Sequence, residues 1–124
     1  MNPYQPAQEY NDLRWGTMMP VTVMVDSAIV QVRARGNYSV KVADSTLLAQ
    51  AVPDPDDLTR YLGSLAISVV TDLIGLRSTQ ASEVGQLTAI TAETIQSFQA
   101  SLEARLTGVG LQLTKVSIDA IESV

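Results

Sequence analysis

The segment Pro20–Val42, PVTVMVDSAIVQVRARGNYSVKV, decides the fold. Val21, Val23 and Val25 alternate with Thr22 and Met24, the period-two pattern of a strand with one buried face. Asp26-Ser27 is a turn signal, and after it Val30, Val32 and Ala34 alternate with Gln31, Arg33 and Arg35. Beyond Gly36, Tyr38, Val40 and Val42 alternate with Asn37, Ser39 and Lys41. The pattern predicts three consecutive strands in an antiparallel meander, with Gly36 dividing the second from the third.

Downstream the period changes. Asp44 or Ser45 is placed to cap a short helix running to about Val52, and Pro53 stops it. Asp54 caps the next helix, Pro55 takes a first-turn position that needs no amide donor, and Asp56 and Asp57 complement the positive helix end. Leu58, Tyr61, Leu62, Leu65, Ala66, Val69, Val70 and Leu73 then recur at three- and four-residue steps, an apolar stripe facing the sheet and ending at Gly75. Ser82 opens a short helix to Ala89, and Thr91 a longer one with Ile95, Phe98, Leu102 and Leu106 inward. Gly108 and Gly110 terminate that helix, because glycine supplies the left-handed backbone of a helix end.

The chain then returns to strand. Leu111, Leu113, Val116, Ile118 and Ile121 change parity between Leu113 and Val116. A bulge near Thr114-Lys115 keeps both halves facing the core; a strand twisting between two surfaces is the alternative. The fold class expected is α+β, with an N-terminal antiparallel meander, three to four helices on one face and a C-terminal return strand. Residues 1–12, polar and broken by Pro3 and Pro6, read as a flexible lead-in to one domain over 13–124.

Composition narrows the function. The 124 residues are 46% hydrophobic but only 5% aromatic, enough for one core built mainly from Val, Leu, Ile and Ala. A net charge of -5 argues against nucleic acid and against anionic headgroups, whose recognition rests on clustered Lys and Arg. The longest apolar run in a predicted helix, Leu65–Val70, falls short of the roughly 20 residues a membrane span needs. Residues 1–11 lack the basic and apolar blocks of a signal peptide.

With neither histidine nor cysteine, the chain lacks the usual general base, the thiol nucleophile and the commonest transition-metal ligands. No catalytic residue, metal site or cofactor is expected. A Ser39–Lys41 dyad is set aside as an exposed strand face, and helix capping accounts for Asp54, Asp56 and Asp57 without a cation. Gly108-Val109-Gly110 follows a helix, whereas phosphate loops precede one. Trp15, the only tryptophan, is expected to close a core edge. Arg33, Arg35 and Lys41, on one strand face, are the candidate partner-binding residues, weighed against a plain solvated surface.

Two stretches carry a family resemblance, Leu13-Arg14-Trp15-Gly16-Thr17 and Arg33-Ala34-Arg35-Gly36-Asn37-Tyr38-Ser39-Val40-Lys41-Val42-Ala43-Asp44. In order and spacing they resemble the SPFH (stomatin, prohibitin, flotillin; band-seven) superfamily, nearest its bacterial virion-core-protein-like branch. The resemblance continues through the helix from Asp57 to Gly75 and the strand from Gly110 to Ile121. It implies a domain lacking the family's first strands. It also implies a non-catalytic scaffold that forms homo-oligomers and organises protein partners in membrane-associated or stress-response complexes. The location implied is cytoplasmic, peripheral to the inner face of the membrane, with membrane contact only indirect. A monomeric module that binds protein or peptide segments at an exposed strand edge is the alternative.

Overall fold

The computed structural model describes residues 2–124. Four strands, β1 (Glu9–Gly16), β2 (Val21–Val25), β3 (Ala28–Val42) and β4 (Leu111–Ser123), form one antiparallel sheet. Between β3 and β4 lie α1 (Ser45–Ala51), α2 (Leu58–Gln80), α3 (Val84–Thr88) and α4 (Ala92–Thr107). The order is the α+β arrangement the sequence predicts.

β3 is the centre of the sheet. Val32 pairs with both Val21 of β2 and Ser123 of β4, and Arg35 with both Gly16 of β1 and Ala120 of β4. β4 therefore fills one edge of β3, while β1 and β2 lie end to end along the other. The even-numbered residues Val32, Ala34, Tyr38, Val40 and Val42 are buried under the helices. α2 packs on β1 and β2, and α3 and α4 on β4. Among the described residues, no helix lies on the opposite face of the sheet.

Three sequence expectations change here. Residues 1–12 are not simply a lead-in, because Tyr4 is buried with its hydroxyl donating to the Val52 carbonyl at 2.7 Å, and β1 begins at Glu9. β1 escaped the strand pattern because it bulges: Tyr10 pairs with Val40 but Leu13 with Tyr38, so its apolar residues are three apart instead of two. Asp12 takes a φ of 55° at that bulge, and its N–H donates to Ser39 Oγ at 3.0 Å. Met1 of the same segment lies outside the described residues.

Second, Gly36 does not divide two strands. β3 runs through it unbroken for 15 residues, and parity is the same on both sides. Third, α2 passes through Gly75 to Gln80. A helical glycine weakens a helix by only about 1 kcal/mol relative to alanine, and burial of Ile74 and Ser78 beyond Leu73 favours continuation. Residues 55–80 are thus long and apolar enough, by length and composition, to cross a membrane. In this fold Leu58, Leu62, Ala66, Val69, Val70 and Ile74 of that helix build the core.

The caps expected at Asp44, Asp54 and Thr91 form, but Ser82 does not cap the short helix, which starts at Val84 after Glu83 with no side-chain cap, and Gly108 keeps a right-handed backbone, leaving the left-handed turn to Gly110 alone. Asp44 accepts from the Leu47 N–H at 3.0 Å, and Thr91 from Thr94 at 3.2 Å. Asp54 accepts from Asp56 at 3.0 Å, making Pro55–Asp57 a 3-10 turn that leads into α2. Gly110, at φ 83°, turns the chain out of α4, and its carbonyl accepts from Ala43 and Asp44, both at 2.9 Å. In β4 the pairing steps from Ser39–Lys115 to Val40–Leu113, which leaves Thr114 as the predicted bulge. A second step, from Arg35–Ala120 to Gly36–Ile118, leaves Asp119 unpaired. It explains the odd spacing between Ile118 and Ile121.

The β2–β3 connection is a two-residue turn with positive φ at both Asp26 (50°) and Ser27 (68°). That left-handed pair is the type I′ geometry, which fits the twist of a hairpin but disfavours side chains with a Cβ. Ser27→Gly is expected to raise stability by about 0.5–1 kcal/mol, read as a higher urea midpoint. An unchanged or lower midpoint would show that the serine side chain is not strained there.

Tyr38 supplies a pH dependence. Its ring is buried, its hydroxyl has no hydrogen-bond partner, and burial pushes its pKa up to about 12 from 10.0. The folded state prefers the neutral phenol, so this stability is full below pH about 10 and is lost as pH rises through about 12. Two pKa units correspond to about 2–3 kcal/mol. Burial shifts Tyr4 and Tyr10 in the same direction. Tyrosinate absorbance should therefore rise together with loss of helical circular dichroism. Ionisation of all four tyrosines while the helices persist would contradict this.

A basic cleft on the open face of the sheet

The face without helices is set by the odd-numbered residues of β3 and their pairing partners. Arg33 and Arg35 are exposed there, two residues apart. Lys41, the third candidate, lies about 20 Å further along the strand, at roughly 3.3 Å per residue. It pairs with Glu9 on one side and Gln112 on the other. The structure therefore groups Arg33 with Arg35 and separates Lys41 from them.

A residue outside that candidate set completes the group. Arg14 of β1 sits directly opposite Asn37, so its side chain rises from the same face as Arg35. Arg14 and Arg35 flank a cleft of about 490 Å³ floored by Trp15, Gly16 and Gly36. Gly16, opposite Arg35, leaves the backbone bare on this face. Asn37 and Asp119 close one side, with the Asn37 amide donating to Asp119 Oδ2 at 3.0 Å. A second depression of about 210 Å³ continues past Gly16 and Arg35 to Arg33 and Glu122.

The floor is fixed from beneath. Trp15 is 4% exposed and stacks on Phe98 of α4, with ring centroids 5.0 Å apart and planes 25° from parallel. Its core-edge role is as expected, but its Nε1–H is buried without an acceptor. Charge above the floor is only partly compensated. Arg35 reaches Glu122 at 3.9 Å with both side chains over 60% exposed, a contact of little strength in water. Among the described residues Arg14 and Arg33 have no ion-pair partner.

The remaining candidates for chemistry have structural duties. Asp54 and Asp57 are engaged, one as the turn cap and the other with Arg60. Ser39 is not on an exposed face as expected: the β1 bulge buries it, and its Oγ accepts the Asp12 amide there. Among the described residues no three acidic side chains converge as a metal site would require.

Apolar exposure concentrates at the hairpin end of the same face. Met24 and Ile29 are direct cross-strand partners there, and Met18 and Met19 project from the link between β1 and β2. Met18 is 89% exposed. Adjacent in sequence, Met18 and Met19 would face opposite ways on a strand, but they lie in a link of four residues set opposite only Arg33 and Ala34.

No curated protein matches this sequence. The model of the SPFH domain-Band 7 family matches residues 4–123, which takes in every strand and helix described above, and the chain belongs to that family.

Proposed function

We propose that this chain is a non-catalytic assembly domain that joins copies of itself and holds protein partners in membrane-associated or stress-response complexes. At family level the SPFH domain acts as a scaffold or membrane organiser, and its members commonly oligomerise. The observation that carries the reading here is the open sheet. Among the described residues one face has no covering layer, and the outer edge of the 13-residue β4 has no strand partner. A bare face and a free edge are the surfaces through which sheets add other chains.

The partners proposed are proteins, chiefly further copies, with contact to a membrane made indirectly. The location proposed is cytoplasmic, peripheral to the inner face of the membrane. Within the superfamily, the motifs around Trp15-Gly16 and Arg33–Asp44 favour the bacterial virion-core-protein-like branch. Light scattering and sedimentation across a concentration series test the assembly reading. Species larger than the monomer should grow with concentration. A monomer throughout would favour the second reading, a peptide-binding module that uses the β4 edge singly.

A further inference from the structure

We propose that the acidic turn Pro53–Asp57 of one copy docks into the Arg14–Arg35 cleft of the next, joining copies head to tail. This rests on the assembly reading and names its contact. The cleft presents two guanidinium groups above a floor of Gly16, Gly36 and Trp15, and the one carboxylate at its side, Asp119, already accepts from Asn37 and Ser117. One donor set is without a partner and the other is held only by the exposed Glu122 contact. Such a site selects a carboxylate ligand, because guanidinium forks match carboxylate oxygens.

The chain carries that ligand itself. All residues from Pro53 to Asp57 are exposed. Pro55 and the Asp54 cap hold the turn in one shape, so little conformational freedom is lost when it docks. The Asp56 carboxylate has no hydrogen bond or ion pair among the described residues. The turn follows α1 and begins the helix packed on the covered face, whereas the cleft opens on the bare face. A copy therefore offers its turn and its cleft in different directions. Because the two surfaces differ, the contact is heterologous, and its repetition closes into a ring or extends as a filament.

Charge reversal on the full chain tests the contact. Arg14→Glu/Arg35→Glu and Asp56→Lys/Asp57→Lys alter exposed side chains, and circular dichroism reports whether each folds. Each variant alone is expected to associate at least about ten-fold more weakly than the native chain in sedimentation, a loss of about 1.4 kcal/mol. Mixing the two in equal amounts should restore assembly, because native and reversed contacts then alternate. A synthetic peptide spanning Val52–Leu58 should also shift Trp15 fluorescence in the native chain and leave the Arg14→Glu/Arg35→Glu variant unchanged.

Undiminished assembly in either variant, or no recovery on mixing, overturns the docking while leaving the assembly reading intact. A native chain that is monomeric at every concentration overturns both. If inorganic phosphate shifts Trp15 fluorescence as strongly as the peptide, the cleft is a simple anion site and the docking proposal fails.

Discussion

Phe98→Ala is expected to lower stability by about 3–5 kcal/mol, the range for removing a buried aromatic side chain. Phe98 is fully buried, and it is the surface on which Trp15 stacks. The truncation leaves a void between α4 and the sheet, bordered by a ring that has lost its neighbour. Two readouts should move together. The urea midpoint should fall steeply, and Trp15 emission in the folded variant should shift to the red as water reaches the indole. A drop below about 1 kcal/mol would show that α4 collapses onto the sheet and refills the space.

Gly36→Ala is expected to cost about 3 kcal/mol, although it adds a single methyl group. A Cβ at this position would lie 2.8 Å from two atoms of the Trp15 indole and still closer to the Ser117 carbonyl oxygen. Nor can that carbonyl retreat freely. It belongs to β4 where Gly36 pairs with Ile118, beside the Asp119 bulge. Relief therefore requires parting β3 from β4 or tilting the tryptophan off Phe98. Equilibrium unfolding in urea measures the loss, and a variant within about 0.5 kcal/mol of the native chain would mean that the sheet flexes here more easily than its pairing suggests.

Those two positions show what could be read from residues in a row and what could not. The alternation from Val21 to Val42, the caps at Asp44, Asp54 and Thr91, the turn at Gly110 and the bulge at Thr114 all declare themselves locally. Each depends on a side chain or backbone preference acting within a few residues. Gly36 and Gly75 mislead for the same reason. A glycine reads as punctuation, yet at Gly36 it is required by a neighbouring strand, and at Gly75 packing beyond it outweighs a small propensity loss.

β1 was hidden by its own bulge, which breaks the two-residue rhythm between Tyr10 and Leu13. The second β4 bulge did leave a trace, the three-residue step from Ile118 to Ile121. The cleft was half legible. Arg33 and Arg35 stand two apart on one strand, so their shared face follows from alternation alone. Arg14 joins them only through the register that sets it opposite Asn37. The cleft floor likewise needs the register that sets Gly16 beside Arg35.

The position of β3 has a consequence in time as well as in space. Its partnership with β2 closes across a two-residue turn and can form within microseconds of the chain becoming free to fold. Its partnership with β4 must wait until residues 43–110 have been made and the helices within them gathered. During synthesis the middle strand is therefore an edge strand, open along the side that β4 will cover. A neighbouring nascent chain can pair there before the native partner arrives. Production that crowds these chains together should favour misassembly, and slower synthesis should favour the soluble product.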